Sequence, residues 1–194
     1  MTLGLGPVAV LLPVKSFADA KLRLAPALDP AARRHLARAM ASHVMACTGK
    51  LPVAVVCDDT EVAAWARDSG ALVVWEPERG LNRAVEAGVA RLASEGVRRV
   101  IVAHADLAFA RELAWVGAFA GVTLVPDHRD DGTNVVSVPA TSGFTFSYGP
   151  GSFARHGAEA RRLDLPLRVV REPLLGHDVD LPSDLAVAEA AAAS

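Results

Sequence analysis

The amino-acid sequence predicts an α/β fold, a three-layer sandwich in which helices cover both faces of a mostly parallel, mixed sheet. Short apolar runs alternate with amphipathic segments along most of the chain, as strands alternate with helices in such folds. The first run, residues 8–12, is apolar throughout, which is typical of a strand buried on both faces. The chain has 194 residues without a long linker or internal repeat, so we expect one domain over residues 1–194.

The composition argues against several classes of protein. The formal net charge is −2, whereas general nucleic-acid binders are usually clearly basic. No apolar run is long enough to span a membrane, and the N-terminus lacks the basic and apolar regions of a signal peptide. We therefore expect a cytoplasmic protein with no nucleic-acid or membrane partner. The two cysteines, Cys47 and Cys57, are too few for a zinc cluster or a disulfide framework, and we interpret them as buried structural thiols.

The first half of the chain alternates regularly between strands and helices. Asp29-Pro30 predicts a helix start, because Asp is a favoured N-cap and Pro fits the first helical position. The stretch Asp58-Asp59-Thr60 is expected to cap the next helix, and Gly49 marks the end of the first one. We expect strands at 8–12, 53–57, 71–75 and 98–104, and helices at 30–47, 60–67 and 81–94.

The second half begins with the same alternation and then becomes more irregular. A polar loop at 126–133 interrupts the pattern, so the late part of the chain predicts a mixed edge of the sheet. We expect helices at 111–120 and 152–163, strands at 122–125, 134–138 and 167–171, and a terminal helix that begins at 182–184.

A cationic loop follows the first strand and contains Lys15, Lys21 and Arg23. A strand, a cationic loop and a helix in this order are one way in which α/β proteins hold a polyphosphate at the carboxyl edge of a sheet. The alternative is that the three cations are simply solvated.

Acidic side chains follow the predicted strands at Asp106, at Asp127 and at the pair Asp178 and Asp180. In an extended backbone Asp178 and Asp180 point to the same side, because side chains alternate along a strand. Two carboxylates on one side favour Mg²⁺, which prefers oxygen ligands and keeps positions for substrate phosphates. The alternative is that Asp180 and Asp184 only favour the start of the last helix.

Histidines and glycines near these acids leave further alternatives open. His104 and His177 adjoin the aspartates and raise the alternative of zinc, although their spacing matches no common zinc pattern. Gly132 and the turn at 149–152 could let the backbone approach an anion, or could be ordinary turns. Nucleophile-elbow, P-loop and G-x-G-x-x-G motifs do not occur in the sequence.

Taken together and in order, these motifs closely resemble the 2-phospholactate/phosphoenolpyruvate guanylyltransferases of deazaflavin coenzyme F-420 biosynthesis. The resemblance extends from about residue 8 to residue 190. The motifs are Pro13-Val-Lys15, Ala20-Lys21-Leu-Arg23-Leu, Gly80-Leu-Asn82, Ala105-Asp106-Leu, Pro126-Asp127, Asp131-Gly-Thr-Asn134, Phe146-Ser-Tyr-Gly-Pro-Gly-Ser152-Phe with His156, and Asp178-Val-Asp180-Leu-Pro-Ser-Asp184-Leu.

The resemblance implies a nucleotidyltransferase (nucleotide-diphospho-sugar transferase-like) fold and a role for each matching residue. Lys15, Lys21 and Arg23 would handle phosphates in catalysis. The nucleotide would be bound by Lys21, Arg23, Gly80 and Asn82, and the acceptor acid by Lys15, Thr133, Gly149 and Ser152. The metal ligands would be Asp106, Asp178 and Asp180.

The implied reaction transfers GMP from GTP to the phosphate of a phosphorylated three-carbon acid, with Mg²⁺ as cofactor and release of pyrophosphate. The resemblance to bacterial members favours phosphoenolpyruvate, or 2-phospholactate, as the acceptor, whereas the residues themselves do not decide between these two and 3-phosphoglycerate. The oligomeric state is left open, a homodimer included. Ala108 stands where the family usually has proline, which leaves the pose of Asp106 open. Two alternatives are a related nucleotidyltransferase, such as a molybdopterin guanylyltransferase, and a nucleotide-binding regulatory protein without turnover.

Overall fold

The structure, a computed structural model, describes residues 5–78, 80–179 and 184. Within these residues seven strands form one sheet in the order β3-β2-β1-β4-β6-β5-β7. The strands are β1 (Val8–Pro13), β2 (Val53–Cys57), β3 (Leu72–Trp75), β4 (Arg99–Ala103), β5 (Val122–Pro126), β6 (Thr133–Pro139) and β7 (Leu167–Val169). The helices are α1 (Pro30–Ala46), α2 (Thr60–Asp68), α3 (Leu81–Ser94), α4 (Ser152–Arg162) and α5 (Pro173–Gly176), with 3-10 turns at Leu22–Leu24 and Ala114–Ala118.

Alternate residues of β1 contact opposite helical layers, which confirms the three-layer arrangement. Val10 and Leu12 belong to a core cluster that includes side chains of α1 and α2. Ala9 and Leu11 belong to a second cluster that includes side chains of α3 and α4. All four β1 side chains are fully buried. This is the two-sided burial expected of a continuous apolar strand in an α/β sheet.

The sheet is mixed, as predicted, but its antiparallel strand does not lie at an edge. Among the described strands, β6 pairs antiparallel with both β4 and β5, whereas the other pairings are parallel. A short loop connects β5 to β6, so the two strands form a hairpin. Because β6 then pairs with β4, the start of β6 lies beside the carboxyl end of β4.

The predicted N-caps are confirmed. Asp29 accepts a hydrogen bond from Ala32 N at 2.8 Å, and Pro30 occupies the first turn of α1. The Asp59 carboxylate accepts hydrogen bonds from Glu61 N and Val62 N at the start of α2. These caps satisfy amides that have no partner inside their helices.

The predicted helix at 111–120 is wrong, because the structure forms only the 3-10 turn Ala114–Ala118 there. The amide of Leu113 donates to Cys47 O, which lies outside the segment. The backbone of Gly117 lies so close to β4 that a Cβ atom would be 3.0 Å from Ile101 Cδ1. Contact with the sheet therefore outweighs the helical spacing of the apolar residues.

The C-terminal part of the chain contains one helix that the sequence interpretation missed. In α5 the Glu172 side chain accepts from Leu174 N, and Pro173 occupies the first turn. This acid–proline pair is the same signal that predicted α1. The terminal helix predicted from residue 182 lies outside the described residues except at Asp184, which is helical. Within the described part of the chain, no helix combines the length and apolar character needed to cross a bilayer.

Candidate active site

Segments that are distant in the sequence meet beyond the carboxyl end of β4. His104 N donates to Asn134 O at 3.0 Å, which ties the loop after β4 to the start of β6. Val179 N donates to Asp106 O at 3.4 Å, and Lys21 Nζ donates to Asp106 Oδ2 at 2.6 Å. The cationic loop, the β4 loop and the segment at 177–179 therefore converge on Asp106. This is the edge at which open α/β sheets bind their ligands.

The ion pair between Lys21 and Asp106 is largely buried. The Lys21 side chain is 8% exposed and the Asp106 side chain 23% exposed. Lys21 has a left-handed backbone (φ 56°) directly before the 3-10 turn Leu22–Leu24. In this turn Leu24 is buried against Met40 of α1 and Val179. This small apolar cluster fixes the cationic loop next to the segment that contains Asp178.

The Asp106 carboxyl is held in its ionised form. Its burial would by itself raise the pKa, but the charges of Lys21 and His104, with the Lys21 hydrogen bond, hold the pKa below its ordinary value. Its second oxygen, Oδ1, is buried and has no hydrogen-bond partner among the described residues. A buried carboxylate oxygen without a partner is costly unless a cation or a donor binds there.

The described acids fit a magnesium ion in number and chemistry. Asp106 and Asp178 belong to segments joined by the Val179–Asp106 backbone hydrogen bond, and Asp180 lies outside the described residues. The described residues alone contain no group of three or more His, Cys, Asp or Glu side chains that could hold a metal ion. Mg²⁺ is usually bound by only one or two carboxylates plus substrate phosphates and water. The unpartnered Oδ1 of Asp106 therefore fits a magnesium ligand.

The other two cations of the loop have different surroundings from Lys21. Lys15 and Arg23 are both exposed, Lys15 just after β1 and Arg23 within the 3-10 turn. The structure therefore divides the predicted cationic set into one buried, acid-paired lysine and two surface cations.

Thr133, at the start of β6, is oriented by a buried histidine. His156 of α4 is fully buried, and its Nδ1 lies 3.0 Å from Thr133 Oγ1. Ser147 N donates to His156 Nε2 at 2.9 Å, so Nε2 has no proton. In a neutral imidazole the proton is then on Nδ1, which donates to the threonine oxygen. Thr133 thereby keeps its own hydroxyl proton for another acceptor.

Three amides at the glycine-rich turn before α4 already have acceptors within the protein. Gly149 and Gly151 have positive φ angles of 111° and 72°, which explains the glycines. Ser152 N donates to Gly149 O, while the amides of Gly151 and Phe153 donate to the Oδ1 and the backbone oxygen of Asp131. These three amides are therefore already paired within the protein, and an anion at this turn would need other donors.

Asp127 is also engaged in loop structure. Its carboxylate accepts hydrogen bonds from the amides of Arg129, Asp131 and Gly132 at 2.9–3.0 Å. Asp131 in turn contacts the start of α4, so Asp127 fixes the relation between the β5–β6 hairpin and the glycine-rich turn.

The two residues predicted at the nucleotide, Gly80 and Asn82, lie at the start of α3. Gly80 precedes the helix with a φ of 129°, a conformation that requires glycine. Asn82 Oδ1 accepts a hydrogen bond from Tyr148 N at 2.6 Å. The amide side chain thus joins the start of α3 to the glycine-rich turn, a contact that the sequence interpretation did not foresee.

Three residues near these groups were given no role from the sequence. His104 was considered only for zinc, Tyr148 was only part of a motif, and His156 was only quoted with that motif. The Tyr148 ring contacts both histidines, with centroid distances of 5.2 Å to His104 and 4.9 Å to His156. An imidazole four residues into a helix that follows a glycine-rich turn was the available signal for His156.

A family model described as "Guanylyl transferase CofC like" matches residues 8–188 of the chain. The chain belongs to this family. The match confirms the family resemblance seen in the motifs. A relative from Roseiflexus castenholzii, named phosphoenolpyruvate guanylyltransferase, is 35% identical over 178 residues, covering 90% of this chain and 84% of the relative. A relative of the same name from Rubrobacter xylanophilus is 35% identical over 194 residues, covering 94% of each.

Solved structures with the same fold confirm the nucleotidyltransferase-type architecture. A Desulfovibrio desulfuricans protein assigned to the nucleotide-diphospho-sugar transferases has a TM-score of 0.73 at 14% identity, covering 93% of this chain and 85% of that one. A CMP:2-keto-3-deoxy-manno-octonic acid synthetase structure has a TM-score of 0.61 at 13% identity, covering 96% and 98%. At these identities the similarity shows the fold alone.

Proposed function

We propose that this chain is a phosphoenolpyruvate guanylyltransferase. In this reaction an oxygen of the phosphoenolpyruvate phosphate bonds to the α-phosphorus of GTP. The bond from that phosphorus to the bridging oxygen breaks, and pyrophosphate leaves with the electron pair. The observation that supports the proposal best is the shared name of relatives that align over about nine-tenths of the chain.

The acceptor phosphate is already an anionic nucleophile, so the chain needs no general base or covalent group. The protein instead has to position two polyanions and offset their repulsion, since positioning and electrostatic stabilisation are the main contributions to catalysis of phosphoryl-type transfer. Lys21 lies at the carboxyl edge of the sheet next to Asp106, where it would stabilise the negative charge of the departing pyrophosphate. Lys15 and Arg23 are exposed on the same loop and would bind the polyphosphate chain from the surface.

Mg²⁺ is part of the proposal, with Asp106, Asp178 and Asp180 as its ligands. When bound, it would neutralise phosphate charge and polarise the phosphorus–oxygen bonds. The buried, ionised Asp106 with its unpartnered Oδ1 supports this assignment. The ammonium group of Lys21 contacts the other oxygen of Asp106, so the carboxylate can bind the lysine and the metal ion at the same time.

The acceptor acid is proposed to lie between the metal ligands and the start of α4. Thr133 would donate its hydroxyl proton to an anionic oxygen, since His156 already supplies the proton that the threonine oxygen accepts. Ser152 is buried at the first position of α4 and would contribute its side chain instead of its amide, which the loop uses. Gly149 would allow close approach through its open backbone conformation. Gly80 and Asn82 are proposed to bind the guanosine part of GTP.

The pathway and compartment follow as proposals from the same family. Transfer of GMP to a phosphorylated three-carbon acid would serve deazaflavin coenzyme F-420 biosynthesis in the cytoplasm. The test is pyrophosphate release by the purified protein with each of four nucleoside triphosphates, crossed with phosphoenolpyruvate, 2-phospholactate and 3-phosphoglycerate. We expect release only with GTP and highest kcat/KM with phosphoenolpyruvate. GTP binding without pyrophosphate release from any pair would contradict the proposal and favour a regulatory protein.

A further inference from the structure

Three polar side-chain atoms near the carboxyl end of β4 are buried without a hydrogen-bond partner among the described residues. They are Asp106 Oδ1, His104 Nε2 and Tyr148 Oη. Buried polar atoms in native proteins are nearly always paired, and each exception needs an explanation. Asp106 Oδ1 is explained by the proposed metal. The two remaining atoms belong to rings that contact each other, with centroids 5.2 Å apart.

The Tyr148 ring contacts two histidines, one from the loop that contains Asp106 and one that contacts Thr133. The His104 ring, from the loop that contains Asp106, has its centroid 5.2 Å from that of Tyr148. The His156 ring meets the Tyr148 ring edge to face, at 4.9 Å, and His156 contacts Thr133. One ring contact therefore connects the phenol to the loop of the proposed metal ligand, and another connects it to the histidine that orients Thr133.

The position of the phenol is fixed by its backbone and its neighbours. Tyr148 N donates to Asn82 Oδ1 at 2.6 Å, and the ring is stacked parallel to Phe146 at 6.1 Å. Because ring and backbone are both held, the hydroxyl cannot turn away to find another partner. A polar group held rigidly in place without a partner is typical of a site that is prepared for a ligand.

The chemistry of the two free atoms matches an anion better than a metal. Burial raises the pKa of Tyr148, so its hydroxyl remains a neutral donor. A histidine ring can also donate from Nε2 whenever that nitrogen carries a proton. Mg²⁺ prefers carboxylate and phosphate oxygens to either group, whereas anionic oxygens form strong hydrogen bonds with neutral donors in a dry site.

We propose that Tyr148 and His104 bind the acceptor acid, each donating a hydrogen bond to an anionic oxygen placed between Asp106 and Thr133. This inference rests on the proposed function, because it takes its acceptor from there. The family motifs gave roles to Thr133, Gly149 and Ser152 but none to these two rings.

Tyr148→Phe tests the hydroxyl, because it removes one oxygen atom and keeps the ring. If the hydroxyl has no partner in the free protein, its removal leaves the Tm unchanged or raises it. The same change should raise the Kd and KM for phosphoenolpyruvate by about tenfold or more, as expected for a hydrogen bond to a charged group, and leave the KM for GTP unchanged. A lowered Tm with unchanged acceptor affinity would mean an ordinary structural hydroxyl and would overturn the proposal.

His104 offers a matched pair of variants. His104→Gln can place an amide donor where Nε2 lies, whereas His104→Leu cannot donate. We expect the leucine variant to lose acceptor affinity and the glutamine variant to recover most of it, with the same KM for GTP in both. Equal acceptor affinity in the two variants would contradict a donor role for His104.

The chain has one tyrosine, so incorporation of 3-fluorotyrosine gives a single ¹⁹F NMR signal that reports on Tyr148. Phosphoenolpyruvate should shift this signal, with or without Mg²⁺ and a non-reacting GTP analogue. Pyruvate and inorganic phosphate as separate probes show whether the carboxylate or the phosphate approaches the phenol. A shift without turnover would refute the proposed function and keep the binding site. Normal turnover with an unmoved signal would refute this inference alone.

Discussion

His156 Nδ1 lies 3.0 Å from Thr133 Oγ1, and the opposite ring nitrogen accepts the Ser147 amide proton. One backbone amide therefore sets the tautomer of a buried histidine, and the histidine sets the direction of a threonine hydroxyl. If Thr133 binds the acceptor, its affinity depends on a residue that need not touch the substrate. His156 is in this sense a positioning residue.

Two substitutions of His156 separate its two hydrogen bonds. His156→Asn can place an amide nitrogen near Nδ1 and keep the bond to Thr133, whereas His156→Gln can only replace Nε2. We expect both to lose some stability, but only the glutamine variant to raise the KM for phosphoenolpyruvate, by about tenfold. The KM for GTP should stay the same in both. The measurement is steady-state kinetics with each substrate varied in turn.

If instead the asparagine variant has the higher KM for phosphoenolpyruvate, the important contact of His156 is the one with Ser147. Equal rises in the KM for both substrates would indicate general damage to the fold. Thermal unfolding of both variants provides the control, because the two should differ little in Tm.

The same histidine should make folding stability depend on pH. The pKa of His156 is lowered to about 4, chiefly by burial and also by the charges of Arg155 and His104, against the opposing effect of Glu159. In the unfolded chain its pKa is about 6.5, so between these values the unfolded state binds the extra proton. Stability is therefore fully present above about pH 6.5 and is lost as the pH falls toward 4.

The size of this loss should be about 3 kcal/mol, from the two pKa values. Chemical denaturation at intervals between pH 7 and pH 4 measures it. His156→Asn has no titrating group there, so its stability should fall by correspondingly less over the same range. Parallel pH curves for the two proteins would show that other groups cause the acid sensitivity.

The strands were predictable because they are local features, whereas the contacts of the site were not. The apolar run of β1 and the Asp29-Pro30 cap report on residues next to each other, and both were confirmed. The segment at 111–120 failed because its conformation depends on how Gly117 fits against Ile101. The order of β6 between β4 and β5 likewise depends on pairing across the sheet.

The contacts of the candidate site likewise depend on residues that are far apart in the sequence. Motifs indicated Lys21 and Asp106 separately, but 85 positions divide them, and only the folded chain shows them 2.6 Å apart. The turn at 149–152 contains glycines where an anion site would need them. Asp131, which takes two of the amides, is brought there by the β5–β6 hairpin. Residue types therefore predict the chemistry of the site, whereas the partners of its hydrogen bonds are known only from the structure.

Because Lys21 is buried, we expect its replacement to affect folding stability as well as activity. A solvated loop cation contributes little to stability, but loss of a buried partner leaves a carboxylate without its counter-charge. Lys21→Met should therefore lower the free energy of unfolding by about 1–3 kcal/mol and lower kcat/KM for GTP by about a hundredfold. Lys15→Ala, which removes an exposed cation just after β1, is the control and should keep its Tm.

The double variant Lys21→Met with Asp106→Asn completes the test of this ion pair. Because the amide needs no counter-charge, the second substitution should restore part of the lost stability but none of the activity. Additive losses of stability in the double variant would mean that the two residues do not interact in solution.

The last prediction concerns the metal. Asp178→Asn removes one proposed ligand from the segment that Val179 joins to Asp106 through a backbone hydrogen bond. We expect kcat at limiting Mg²⁺ to fall by at least about a hundredfold, because the ion would lose one of its carboxylate ligands. Mn²⁺ binding measured by electron paramagnetic resonance gives a readout separate from turnover, and it should weaken in parallel.

Asp127→Asn is the informative comparison, since the Asp127 carboxylate accepts hydrogen bonds from three loop amides. This variant should have a lower Tm and an unchanged Mn²⁺ affinity. Full activity of Asp178→Asn at limiting Mg²⁺ would remove Asp178 from the ligand set.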